Sequence, residues 1–377
     1  MSRRAFLQCA GCAALFSVLP DDGWAQQDQA GTLAYDPDAS FPPVPARYWV
    51  KLNENRIECQ LCPNRCKVAD LERGTCGNRE NRGGTYYTLV HSRAVSANND
   101  PIEKKPLFHF LPGTTAFSIA TAGCNMECKF CQNWQISQYR PEQVQAMRLA
   151  PERVHEMAKR MGARSIAYTY SEPTVYYEYM LDTAALGAKT GVRSVVISAG
   201  FIEEQPLRDL LPHVDAIKID LKSFRQSFYD NMCRGQLKVV LRTLEIIRGA
   251  GKWLEIVVLI VPTLNDSEAE VRDMAKWIRS ALGPDVPVHF TRFHPTYRIK
   301  NLPRTPTGIL ERSRDIAIAE GIHFVYLGNV PGHPAENTYC PDCKEPVIMR
   351  AGMAVDEMRL LGGKCPKCKR LIAGVFS

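Results

Sequence analysis

Eleven of the fourteen cysteines in this chain fall into three tight groups, and that clustering constrains the fold more than any other feature. Cys59, Cys62, Cys66 and Cys76 form the first group, Cys124, Cys128 and Cys131 the second, and Cys340, Cys343, Cys365 and Cys368 the third. Cys9, Cys12 and Cys233 stand apart. Spacings of two or three residues bring several thiolates to one centre, as a metal requires. A disulfide framework, the alternative, belongs mainly to chains far shorter than 377 residues. With 45% hydrophobic residues, the chain has enough apolar material to build a core around three metal loops. Its net charge of +7 is spread along the sequence and implies a solvated surface. No basic stripe with interleaved aromatics marks a nucleic-acid face, so no nucleic acid is expected as a partner.

The N-terminus reads as a targeting segment. Ser2-Arg3-Arg4-Ala5-Phe6-Leu7-Gln8 resembles a twin-arginine signal, departing from it at Gln8, where Lys is usual. The apolar stretch from Cys9 to Leu19 is too short to cross a bilayer as a ~20-residue helix, so no transmembrane helix is expected. Gly23-Trp24-Ala25 supplies a small-residue cleavage pattern. Residues 1–25 are therefore expected to be a signal that exports the chain to the periplasm by the twin-arginine route. The alternative is a disordered basic tail on a cytoplasmic protein. Residues 26–46, with Gln26-Gln27 and Pro42-Pro43-Val44-Pro45, read as a linker.

Beyond residue 110, short apolar runs alternate with helical patterns at roughly 30-residue intervals, the rhythm of βα units. Strands are expected at 116–121, 165–170, 194–198, 216–220, 254–261, 287–293 and 323–327. Helices are expected at 151–161, 175–189 and 308–320. Ser267 and Glu270 form a capping box ahead of the apolar stripe Val271, Met274, Ala275, Ile278 and Leu282. The near-continuous apolar run from Ile256 to Val261 suits a parallel strand covered on both faces. The fold class is α/β, a barrel or open parallel sheet, with a cysteine module on each side. The expected division is an N-terminal four-cysteine module over 47–110, the barrel over 111–335 and a zinc-ribbon-like module over 336–377. No internal repeat, low-complexity tract or Gly-rich phosphate loop appears.

Cys124-Asn125-Met126-Glu127-Cys128-Lys129-Phe130-Cys131 follows the first of these strands directly. Spacings of three and two let one loop wrap three corners of a 4Fe–4S cube. No fourth cysteine is expected nearby, which would leave one iron open to chelate the amino and carboxylate groups of S-adenosylmethionine (SAM). Active sites of α/β barrels gather at this end of the strands. A structural zinc site is the alternative.

The triad matches the radical SAM signature, and the chain after it resembles the branch containing pyruvate formate-lyase activating enzymes. Several stretches resemble more closely the radical SAM enzyme of the AmmeMemoRadiSam system. They are Cys59-Gln60-Leu61-Cys62-Pro63, Gly74-Thr75-Cys76-Gly77, Cys131-Gln132-Asn133-Trp134-Gln135-Ile136-Ser137, Tyr168-Thr169-Tyr170-Ser171-Glu172-Pro173-Thr174 and Tyr326-Leu327-Gly328-Asn329-Val330-Pro331-Gly332. The resemblance runs from about Cys59 to the C-terminus. It implies a partial (β/α)6 radical SAM barrel, a SAM-bound 4Fe–4S cluster, an electron donor, and Memo-like and AMMECR-type proteins as partners. Carried over by position, Glu172 would meet the SAM amino group, although it would equally serve as an N-terminal helix charge. Asp220 and Lys222 end the fourth strand, where such enzymes place polar groups near SAM; Lys222 would equally be a surface cation. Ser198 and His294 end later strands, where each would line the pocket; Ser198 is counted among the SAM-binding candidates, while a lone histidine is more often a structural hydrogen-bonder and is not assigned a role.

The third group is two C-P-x-C knuckles, a ligand set for a structural tetrahedral zinc, with rubredoxin-type iron as the alternative. Lys344 and Lys369 occupy positions where knuckles often carry Gly at positive φ. The first group suits zinc or an auxiliary iron–sulfur cluster, since thiolates serve both, and a structural metal is the preferred expectation. The function expected is cleavage of SAM to a 5′-deoxyadenosyl radical that abstracts hydrogen from an unknown substrate. A glycyl-radical activase acting on a partner protein and a non-catalytic metal-binding scaffold are the alternatives.

Overall fold

The computed structural model describes residues 39–377. The expected signal, Cys9, Cys12 and most of the expected linker lie outside the described residues. Eight strands form the central sheet in sequential order. The edge strand β1 (Ser96–Pro101) runs antiparallel to β2 (Thr115–Ala120). From β2 onward every neighbour is parallel, through β3 (Ser165–Tyr168), β4 (Arg193–Ser198), β5 (Ala216–Asp220), β6 (Trp253–Ile260), β7 (Val288–Arg292) and β8 (Val325–Gly328). The helices between them are α1 (Pro151–Arg160), α2 (Tyr177–Ala185), α3 (Glu204–Leu210), α4 (Leu237–Gly249), α5 (Glu268–Leu282) and α6 (Thr307–Ala319). Strands β1 and β8 are the two edges, so the barrel stays open and is partial in the expected sense. The six parallel strands implied by the resemblance are β2 to β7. A seventh, β8, coincides with the last strand read from the sequence.

The apolar run in β6 is buried as a doubly covered strand should be, with Leu254, Ile256, Val258 and Ile260 at most 2% exposed. Its one carboxylate, Glu255, is equally buried and fully engaged, accepting from Phe108 N, His109 N, Trp253 Nε1 and His289 Nε2. The α5 stripe is buried as its spacing requires. Its capping box is only half made. Ser267 Oγ accepts from Glu270 N at 3.3 Å, but the Glu270 carboxylate turns to Ser223 Oγ and Phe224 N. A buried glutamate finds more donors in the loop after β5 than at its own helix end.

The segment between β1 and β2 closes one end of the sheet. Ile102, Leu107, Phe110 and Leu111 pack against Ala116, Ala167, Val195 and Ala216 of four successive parallel strands. Because this segment leads into Thr115, it lies at the opposite end of β2 from the Cys124 loop. The C-terminal ribbon, built on Thr338–Tyr339, Pro346–Ala351 and Ala354–Met358, docks there. Arg350 donates to Phe108 O at 2.7 Å and lies 4.2 Å above the Phe108 ring. Cys340, Val347, Ile348, Cys365 and Ile372 share one core with Phe108, Phe324 and Tyr326. The ribbon is thus a module in topology but not in packing.

The N-terminal module is two small antiparallel sheets. Val44–Pro45, inside the segment expected to be a linker, pairs with Tyr87 and Thr88. A buried ion pair joins this module to α2, with Arg79 Nη2 2.5 Å from Glu178 Oε2. No helix among the described residues is long and apolar enough to cross a membrane.

Candidate metal and SAM site

The second cysteine group occupies the loop that leaves β2. Gly123 opens it at φ +90°, and a Cβ there would lie 2.6 Å from Cys76 O, so only glycine lets the two backbones meet. Cys131 N donates to Cys128 O at 3.1 Å, and Cys131 Sγ lies 3.2 Å from Ser137 Oγ. The loop is strapped from outside by the π-helical turn Tyr229–Cys233: Glu127 N donates to Cys233 O at 2.8 Å and Lys129 N to Met232 O at 2.9 Å.

The residues marked in sequence meet around this loop. Glu172 caps the short 3-10 turn Pro173–Tyr176 through Thr174 N and also accepts from Thr174 Oγ1, Ser198 Oγ (2.6 Å) and Ala199 N (2.8 Å). Its capping and its closeness to the triad coexist. Burial pushes the Cys124 thiol well up, and the charge of Glu172 adds to the push. Asp220 pairs with Lys218 and lies 3.5 Å from Lys222. Burial works against the charge on Lys222, but Asp220 and the Cys128 and Cys233 thiols outweigh it and hold its pKa well above the usual range. Glu172, Ser198, Asp220 and Lys222 thus ring the three cysteines at the C-terminal ends of β3, β4 and β5. His294 is exposed.

One expectation is corrected here. Cys233 does not stand apart, and a fourth cysteine does lie near the triad. It is fully buried against Cys128, and its hydrogen bond is the main cause holding the Cys128 thiol below its ordinary pKa. Sequence spacing gave no signal for it, since the π-turn that carries it follows β5. Lys218 was missed for the same reason: inside a buried strand it reads as an irregularity.

Among the described residues, the third cysteine group is the one set of metal-ligating side chains whose ligand atoms all lie within 4.8 Å of each other. Cys340 and Cys368 thiols are 3.4 Å apart, and Cys343 and Cys365 3.6 Å. One tetrahedral ion fits that span. Lys344 and Lys369 do take positive φ, +60° and +66°, where each costs about 1 kcal/mol or more. Each ammonium offsets part of this by bonding its own knuckle, at Pro341 O and Pro366 O. The central three thiols are not gathered within 4.8 Å, and three thiolates on one loop with one coordination place left over are the donor set of a SAM-binding 4Fe–4S cluster rather than of a single ion.

Against known families, the sequence profile of the Radical SAM superfamily matches residues 118–278, from within β2 to Ile278 of α5. A relative from Methanocaldococcus jannaschii, an uncharacterised protein, is 44% identical over 305 residues, covering 81% of this chain and 91% of that one. The chain belongs to the radical SAM superfamily. A pyruvate formate-lyase-activating enzyme of Clostridium pasteurianum is 22% identical over 161 residues, covering 42% of this chain and 67% of that one. A solved radical SAM methyltransferase from Sphaerobacter thermophilus covers 58% of this chain and 68% of its own, with a TM-score of 0.47 at 16% identity. As a radical SAM protein the chain is an enzyme of SAM radical chemistry, with a 4Fe–4S cluster and SAM as cofactors.

Proposed function

We infer that this radical SAM enzyme holds its cluster at Cys124, Cys128 and Cys131 and abstracts hydrogen from a carbon of its substrate. The observation that carries this reading is the loop of three thiols leaving β2, ringed by Glu172, Ser198, Asp220 and Lys222. When bound and reduced, the cluster supplies an electron that splits SAM into methionine and a 5′-deoxyadenosyl radical. The chain's own part is position and exclusion. Gly123 lets the loop seat against Cys76, the Tyr229–Cys233 turn straps it, and the Ile102–Leu111 segment blocks the far end of the barrel. Glu172 places its carboxyl group near Cys124, where a SAM ammonium would find an acceptor, at the expense of some of its present donors. The cation of Lys222 offsets negative charge gathered at Cys128.

The likeness to a pyruvate formate-lyase-activating enzyme supports a second reading, installation of a glycyl radical on a partner protein. The stretches shared with the AmmeMemoRadiSam system support Memo-like and AMMECR-type proteins as partners. Zinc is proposed for the ribbon, and export by the twin-arginine route for the chain. The test of the chemistry is anaerobic reconstitution with iron, sulfide, SAM and dithionite. The wild type is expected to form 5′-deoxyadenosine, and Cys128→Ala to form none. Undiminished SAM cleavage in Cys128→Ala would defeat the reading.

A further inference from the structure

The first cysteine group has no role in the function above, yet it is built against the site. Cys59 N donates to Cys66 O at 2.9 Å, and Thr75 N lies 3.5 Å from Cys66 Sγ, so the Cys59–Cys66 loop and the Gly74–Cys76 loop face each other. Cys59 and Cys62 are buried, and Cys66 Sγ lies 3.4 Å from Oγ1 of Thr75, the residue next to Cys76. Yet neither the four nor any three of them belong to a set within 4.8 Å, unlike the ribbon thiols. Like the central triad, they are not gathered as tightly as the shell of a single ion.

Two buried donors beside these thiols lack partners. Tyr86 Oη, in a residue 0% exposed, bonds nothing, although it and Cys66 Sγ both face Gly74, at 2.9 and 3.5 Å from the point a Cβ would occupy. Arg79 Nε, in a residue 1% exposed, is equally unpaired, and Arg79 O accepts from Gly74 N at 3.2 Å, which sets this residue against the Gly74–Cys76 loop. Buried donors left without acceptors are costly, and two of them beside one group of thiols point to an acceptor bound there. Inorganic sulfides of an iron–sulfur cluster are such acceptors, beyond the thiolates that a lone zinc would offer.

The group also touches the central loop directly. Asn64 Nδ2 donates to Asn125 O at 2.8 Å, Asn78 Nδ2 to Ala122 O at 2.5 Å, and Cys76 O abuts Gly123. Cys76 and Cys124 are therefore separated by one residue and a backbone contact.

We propose that Cys59, Cys62, Cys66 and Cys76 bind a second iron–sulfur cluster that relays electrons to the cluster at Cys124, Cys128 and Cys131. This replaces the structural metal expected from sequence and rests on the radical SAM reading for its destination. One electron enters the second cluster from a low-potential one-electron donor and one leaves for the central cluster, so the relay is unchanged after each turn.

Two measurements on the full chain test it. In the first, the triple variant Cys124→Ala, Cys128→Ala, Cys131→Ala is reconstituted anaerobically and assayed for acid-labile sulfide. About two to four sulfides per chain are expected, the content of a Cys-ligated 2Fe–2S or 4Fe–4S cluster. A rubredoxin-type ribbon iron carries none, so it cannot mimic the result. Absence of sulfide in this variant overturns the proposal. In the second, 5′-deoxyadenosine formation is driven either by reduced flavodoxin, a protein donor, or by dithionite, small enough to bypass a relay. In the variant Cys62→Ser, Cys76→Ser the ratio of the flavodoxin rate to the dithionite rate should fall roughly tenfold. An unchanged ratio overturns the relay. Sulfide is read without SAM turnover, so failure of this proposal is distinct from failure of the radical reading, which would appear as a wild type forming no 5′-deoxyadenosine.

Discussion

At the scale of single residues, Cys233 sets the surroundings of Cys128 without any need to bind metal. Hydrogen bonds to cluster sulfurs favour the more negative, reduced state and so raise its potential. Cys233→Ala is therefore expected to retain the central cluster while its midpoint potential, followed by paramagnetic resonance in a redox titration, becomes more negative. Loss of the cluster's iron in that variant would instead make Cys233 a ligand. The contact was illegible in the sequence because it joins β5's trailing turn to β2's loop, and neither carries a motif for the other. The triad itself was legible, since its spacing is local. For Glu172 the capping and SAM roles looked exclusive in one dimension. In three they are compatible, because the turn it caps lies beside Cys124.

At the scale of elements, a chain of donors links ribbon to barrel. Arg350 Nη1 donates to Thr338 Oγ1, which bonds Tyr326 Oη at 2.9 Å, which in turn bonds His109 Nε2 at 2.5 Å. Ala373 O, 2.6 Å from His109 Nδ1, can only accept, so Nδ1 carries the proton and Nε2 receives one from Tyr326. Protonating Nε2 would reverse that bond. Consistently, burial pushes His109 down to about 4, against an ordinary value of 6.5. Between those values the unfolded chain holds the extra proton, so stability rises with pH and is lost as pH falls from 6.5 towards 4. The contribution is about 3 kcal/mol at most. The urea midpoint is expected to drop between pH 7.5 and 5, and His109→Gln should flatten that dependence; an unchanged slope in the variant would count against the assignment. The parallel strands of this region were readable because doubly covered strands are apolar end to end. The N-terminal strands, two to four residues each, were not, because turns and cysteine loops rather than periodicity hold them. The Glu270 carboxylate shows the limit of local signals. The motif placed the helix start correctly, but tertiary donors claimed the side chain.

At the scale of the whole molecule, metal loading and proposed export must be reconciled. The twin-arginine route carries folded proteins, so clusters would be inserted before transport, while SAM and reductant would have to reach the enzyme outside. Changing Arg3 and Arg4 to Lys is expected to leave the protein in the cytoplasm. In the wild type, fractionation should recover periplasmic protein lacking residues before Gln26. Full-length cytoplasmic protein alone, indifferent to the arginines, would refute export.

The sequential order of the sheet also bears on how the chain is completed during synthesis. From β2 onward, each strand leaving the ribosome finds its parallel neighbour already made, so the sheet grows one edge at a time. The barrel floor is the exception. Leu111 N waits for Val375 O and His109 O for Val375 N, each at 2.7 Å, so the floor laid down early is sealed only when Val375, far along the chain, has been translated. Until then, the segment that blocks the far end of the barrel is held by Glu255 at Phe108 N and His109 N but not yet fastened at Leu111, and a nascent chain that has not reached Val375 would carry finished walls over a base tied at one point.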